Sequence, residues 1–178
     1  MSTTTLLTLE QFEGIEWEGH LELLKGELIR LPPPPRPHME GCESLYKLLG
    51  AAVEQLRKAQ PAIELGKVHF EMGYLLRGVP RTWLRPDVSI TNPDQPGKRY
   101  YEGAPLMVFE IVSEYDTAAQ LADKVAQFLE NGAREVWVIY PDTREVWLHD
   151  GSGPPRLMKS IQSPLLPGIE ITLDEILK

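Results

Sequence analysis

The chain has 178 residues, of which 42% are hydrophobic and 25% charged, with a net charge of −8 and a pI near 5.1. That length supports one domain with a proper core, read here as residues 1–178, and is too short for two comfortable ones. The acidic balance counts against a general nucleic-acid coat protein, and the lack of an apolar run of about 18 residues counts against a membrane span.

The opening MSTTTLLTLEQF has neither the basic region nor the long apolar core of a secretory signal. The single cysteine, Cys42, excludes an internal disulfide and suits a reducing cytoplasm, the expected location. Thr8 to Gln11 has the form of a capping box opening a short helix before Gly14. Lys25-Gly26 reads as a hairpin turn between ELL and ELIRL. Pro32 to Pro35 with Arg36-Pro37 reads as a stiff, non-helical polyproline segment that ends a strand.

Leu45, Leu48, Leu49, Ala52, Val53 and Leu56 recur at helical spacing, so an amphipathic helix is expected over residues 39–59, ending at Gln60-Pro61. Three strand-like runs follow: Glu64 to Phe70, Tyr74 to Leu76, and Trp83 to Ile90. Asn92 to Gly103 reads as an exposed loop. Leu106 to Val112, LMVFEIV, has the composition of a strand buried on both faces. A helix over residues 117–131, closed by Gly132, a strand at Glu135 to Tyr140 and a hairpin partner at Arg144 to His149 come next. The tail reads as a turn at Pro167-Gly168, a strand and a short terminal helix. Helix, strands, helix, strands is the order of an α/β (α+β) mixed sheet with helices packed on it.

The chemistry concentrates where apolar runs carry acids. Glu110 stands inside the central strand, where an unpartnered carboxylate would be costly. Asp87 stands in the neighbouring run WLRPDVSI. Together with the carbonyl of Ile111 they offer oxygen ligands of the kind that Mg²⁺ or Mn²⁺ takes. Such an ion polarises a phosphoryl oxygen and activates a bound water.

At about 100° per residue, Lys124 falls about 60° from Leu121, on the margin of its helix's buried face, while Asp123, Gln127 and Glu130 point away. Its ammonium can reach over the sheet edge towards Glu110 and stabilise charge developing on phosphorus. The competing assignment is a snorkelling lysine that covers apolar surface. For Asp87 the competing assignment is a turn residue after Pro86, and for Glu110 an acid paired with an arginine.

The four histidines form no close-spaced pair, which disfavours zinc. His38 alone sits where the proline segment meets a helix start, and Glu27 sits beside the hairpin turn, so both are candidates to face the same edge. Cys42, on a helical pattern, reads as packing. No G-x-S-x-G, Walker A or G-x-G-x-x-G occurs. Arg77, Arg81, Arg85, Lys98 and Arg99 against Asp87 and Asp94 leave residues 77–99 at +3, a local patch that can meet DNA or a solvated loop.

The pieces ELLKGELIRLPPPPRPHME, RPDVSI, LMVFEIVS, DKVAQFLENGAREVWVIYP and LPGIEITLDEIL occur in this order over nearly the whole chain. In this respect the chain resembles the Uma-type (Uma-two) family of restriction endonucleases, within the PD-(D/E)XK nuclease superfamily. The resemblance implies an αβββαβ core, here with N-terminal β-hairpin additions, and metal-dependent hydrolysis of DNA phosphodiesters. It makes Asp87 the acid of the PD motif and Glu110 that of the (D/E)XK motif. That motif expects a lysine where this chain has Val112, and the family's migrated lysine matches Lys124.

Glu27 and His38 also fall at family-motif positions. Ser113-Glu114 departs from the family's Ser-Pro, and Tyr140 from its acidic residue. A homodimer is the expectation by analogy with superfamily members that cut both strands. The competing functions are a catalytically silent nuclease fold that binds a partner or nucleic acid, favoured by the acidic pI, and a proline-motif adaptor resting on PPPPRP.

Overall fold

The computed structural model describes residues 6–177. The first five residues of the N-terminal stretch read above, and Lys178 at the end of the tail, lie outside the described residues. In chain order the elements are α1 (Leu9–Glu13), β1 (His20–Leu24), β2 (Glu27–Leu31), α2 (Arg36–Ala59), β3 (Val68–Phe70), β4 (Tyr74–Leu76), β5 (Thr82–Leu84) and β6 (Val88–Ile90). They continue with β7 (Tyr101–Glu102), β8 (Met107–Ile111), α3 (Ala118–Glu130), β9 (Glu135–Tyr140), β10 (Glu145–His149), β11 (Arg156–Met158), β12 (Ser160–Ile161), β13 (Ile171–Thr172) and α4 (Leu173–Ile176).

Local chemistry accounts for most boundaries. Thr8 and Gln11 close the expected capping box on α1. Lys25 and Gly26, both at positive φ (51° and 81°), make the tight turn that joins β1 to β2 in register Leu24↔Glu27. Helix α2 begins three residues earlier than its apolar periodicity suggests, at Arg36, so the reading of Arg36-Pro37 as non-helical is corrected. In the first turn the missing N–H of Pro37 costs nothing, because donors there have no helical acceptor.

The run WLRPDVSI is not one strand. Pro86 cannot donate to a ladder, and the chain leaves β5 in one sheet and enters β6 in another, with Arg85-Pro86-Asp87 as the crossing. The loop expected at Asn92 to Gly103 also contains β7, which pairs parallel with β4. β11 and β12 carry no strand signal in the sequence, being too short for a period of two to register.

A six-stranded sheet, ordered β11-β10-β9-β8-β6-β3, carries the core, and a five-stranded sheet, ordered β2-β1-β5-β4-β7, packs over one of its faces. Along the six-stranded sheet the chain runs α2, β3, β6, β8, α3, β9. β3, β6 and β8 are antiparallel, and β8 is parallel to β9 across α3. This is the expected αβββαβ core, with the β1–β2 hairpin before it and β4, β5 and β7 inserted into the other sheet.

The two faces of the six-stranded sheet bury different clusters. On one, Cys42, Leu45, Leu49, Val53 and Leu56 of α2 meet Val88, Phe109, Ile111, Trp137 and Ile139. Leu45 and Leu49 are fully buried, each contributing roughly 1.5–3 kcal/mol. On the other, Leu121, Val125 and Phe128 of α3 pack with Val108, Val136 and Val138 and with Leu24, Ile29, Tyr74, Leu76 and Leu84 of the smaller sheet. No helix among the described residues is long and apolar enough to cross a membrane.

Candidate functional site

The site forms where the ends of the two sheets and the starts of α2 and α3 meet. Because β6 and β8 pair with Val88 opposite Phe109, Asp87 lies opposite Glu110 at the end of the ladder. Side chains alternate along β8, so Phe109 and Ile111 face α2 while Glu110 shares the α3 face with Val108. Lys124, capped into place by Thr117 at the start of α3, extends along that face and is 6% exposed. Its Nζ donates to Glu110 Oε2 at 3.2 Å and lies 3.2 Å from Glu22 Oε2.

Glu22, in the middle of β1, is held by a second contact, with its Oε1 accepting from the Arg85 amide at 2.9 Å. Asp87 spans the two faces. Its Oδ2 accepts from the Ile111 amide at 2.7 Å and its Oδ1 lies 3.3 Å from His38 Nε2. Within an extended strand a residue's N–H and C=O face the same edge, so the Ile111 carbonyl points to the Asp87 side as well. The backbone oxygen of Asp87 accepts from Glu71, a non-glycine residue at φ 46°, and the Glu71 carboxylate pairs with His20 Nε2 at 3.2 Å.

Asp87, Glu110, Ile111, Lys124 and His38, all singled out from the sequence, line one cavity of about 40 Å³ open to water-sized molecules. Glu27 does not join them, which corrects that expectation. It faces the same side of the hairpin as Glu22, but it sits at the turn end, exposed, about 7 Å further along the strand than the residue paired with Glu22. Glu22 takes that place. Its signature was an acid embedded in the apolar run of HLELL, the same signature that marks Glu110 in LMVFEIV. Gln127, expected to point to solvent, is buried and accepts from Thr82 Oγ1.

The electrostatics are unbalanced. Three buried carboxylates, Glu22, Asp87 and Glu110, stand near one buried ammonium, which Glu22 and Glu110 share while Asp87 faces His38. Burial pushes the Glu110 carboxyl well above its ordinary value, opposed by Lys124 and reinforced by Asp87, Glu22 and Asp116. Burial acts to lower the Lys124 ammonium, but the surrounding carboxylates outweigh it and hold it above its ordinary value, so it stays charged. His38 is also raised, its burial overcome by its contact with Asp87. Among the described residues Glu110 Oε1 is buried with no hydrogen-bond donor. A buried, unsatisfied carboxylate oxygen in an acid-rich cavity fits a hard divalent cation, which would fill that vacant valence and offset the excess charge.

Comparison with known proteins agrees with the fold. No curated protein matches the chain, whereas five chains of solved structures do. One is described as the crystal structure of a "putative nuclease belonging to DUF820" from Anabaena variabilis ATCC 29413, at 17% identity and a TM-score of 0.75, covering 96% of this chain and 97% of that one. At that identity the likeness establishes the restriction-endonuclease-like fold. The Uma2 family model, described as "Putative restriction endonuclease", matches residues 7–174, and the chain belongs to that family.

Proposed function

We propose that the protein is a divalent-metal-dependent endonuclease that hydrolyses DNA phosphodiester bonds. Family membership points to a nuclease, and the observation that carries the metal-dependent reading is the unpartnered Glu110 Oε1 beside Asp87 and Lys124 in one buried cavity. In this reading Asp87, Glu110 and the Ile111 carbonyl hold Mg²⁺ or Mn²⁺. When bound, the ion would polarise the phosphoryl oxygen and lower the pKa of its water.

The remaining work belongs to the chain. Lys124, kept charged by its carboxylate neighbours, acts as a hydrogen-bond donor rather than a base. It orients the attacking water and stabilises negative charge on phosphorus. Glu22 gives the lysine a second carboxylate anchor beside Glu110, and His38 and the Ile111 amide fix the two oxygens of Asp87. Cutting both strands of a duplex with one such site per chain calls for a homodimer, which is part of the proposal.

The test is cleavage of plasmid and single-stranded DNA at low salt with Mg²⁺ or Mn²⁺, beside Glu110→Gln, with metal binding followed by calorimetry and mass by light scattering. Metal-dependent cutting that is lost in Glu110→Gln is expected. A folded protein that binds neither ion and cuts neither substrate would overturn the proposal. It would favour a silent nuclease fold that binds a partner, in keeping with the −8 charge.

A further inference from the structure

We propose that His38, Cys42 and Asp87 form a second metal site, suited to a borderline ion of the zinc type, which competes with the hard-ion site for Asp87. The binding itself is independent of the nuclease reading, whereas the competition rests on it.

Three observations carry the inference. His38 and Cys42 are four residues apart at the start of α2, so their side chains lie on one face, directed at the end of β6. Cys42 Sγ lies 3.4 Å from His38 Nε2, His38 Nε2 lies 3.3 Å from Asp87 Oδ1, and all three atoms fall within 4.8 Å of one another. Tetrahedral zinc, with bonds of about 2.0–2.3 Å, sets neighbouring ligand atoms about 3.3–3.6 Å apart, so the two close contacts already have the spacing of a ligand set. Third, Cys42 is 1% exposed in an otherwise apolar helix stripe, and besides packing in the core its sulfur meets an imidazole and lies near a carboxylate.

The donor set decides the class of ion. A thiolate and an imidazole favour zinc over magnesium, while the carboxylate oxygens and carbonyl of the neighbouring site favour the reverse. Thiolate and carboxylate together neutralise a divalent charge, and three protein ligands leave a fourth position open to the cavity that His38 and Asp87 line. Binding replaces the Cys42 thiol proton with a metal–sulfur bond and clears the Nε2 proton that faces Asp87, so a neutral His38, its proton moved to Nδ1, releases one proton to solvent per ion and a charged His38 two. Asp87 Oδ1 committed to such an ion is withdrawn from Glu110, so zinc is an inhibitor of hard-ion binding.

The experiment is a titration of the full chain, metal-free and reduced, with Co²⁺ as the probe, following thiolate-to-cobalt charge transfer in the near ultraviolet. Cys42 is the chain's one cysteine, so the band reports on it directly. One ion per chain is expected, displaced by Zn²⁺, and where the sites compete excess Mg²⁺ lowers its apparent affinity through the shared Asp87. His38→Gln and Asp87→Asn, each checked for folding by circular dichroism, should weaken cobalt binding by at least about tenfold. No band at saturating Co²⁺, or a band of undiminished affinity in both folded variants, would overturn the site. Calorimetry then follows Mn²⁺ with and without one equivalent of Zn²⁺. A weaker apparent Mn²⁺ affinity in the wild type but not in Cys42→Ser supports the competition, and an unchanged one refutes it. Zinc binding in a chain that binds no Mn²⁺ would uphold the zinc site while overturning both the competition and the nuclease reading.

Discussion

Replacing Lys124 by methionine keeps most of the side-chain volume and removes the ammonium that Glu22 and Glu110 share. Each carboxylate oxygen is 3.2 Å from Nζ, a distance at which one ion pair is worth about 5 kcal/mol at an effective dielectric of 20, before desolvation. Most of that attraction is cancelled by the cost of burying the charges, but the variant recovers only the ammonium's share of that cost, since both carboxylates stay buried. Stripping one partner from a buried pair typically costs about 3–5 kcal/mol.

For a domain of this size that corresponds to a melting temperature lower by roughly 6–20 °C, read by urea titration and thermal unfolding. The deficit should depend on pH in a definite direction. The Glu110 carboxyl is raised in the fold by burial and by its acidic neighbours, so its contribution is fully present below the unfolded value of about 4.3 and is lost as pH rises through the higher folded value. Without Lys124 that penalty grows, so Lys124→Met should be closer to wild type at pH 5 than at pH 8. A loss under about 1 kcal/mol at pH 8, the value of an exposed pair, would refute the buried three-charge arrangement.

The two acids of the N-terminal hairpin separate by assay. Glu22→Gln, which loosens Lys124, should lower metal-dependent cleavage on the order of 10- to 100-fold, whereas exposed Glu27→Gln should leave cleavage unchanged and stability within about 0.5 kcal/mol. Equal effects of the two would argue against the hairpin register. His69 and His149 are held below the ordinary histidine value chiefly by burial. The unfolded chain therefore binds protons more readily, and stability should fall as pH drops below about 6.5. Proton NMR titration should find both below that value, and the His69→Gln/His149→Gln double variant should show a shallower acid slope in denaturant unfolding than wild type.

Wherever chemistry is local, the sequence was sufficient. The capping box at Thr8, the Lys25-Gly26 turn, the Gln60 end of α2 and the span of α3 follow from side chains acting on their own backbone, within reach of one or two turns of chain. The two strands buried on both faces, β8 and β9, declared themselves as apolar runs, and Glu110 stood out because an acid in such a run needs a partner. Helical periodicity put Lys124 at the margin of a buried face.

Tertiary structure decided what no period encodes. Glu22 and Glu27 are both acids in strand-like runs of one hairpin, and only the packing of β1 against β5 and α3 determines which end is covered. Pro86 announces a break, but that β5 and β6 belong to different sheets depends on pairings with β1, β4, β3 and β8, distant in the chain. His38 and Cys42 read as a helix start and a packing residue until the end of β6 brings Asp87 against both. Local sequence governs which groups are available, whereas their meeting depends on burial and strand pairing across long separations, where the driving force is area removed from water and carries no label of the residues it brings together.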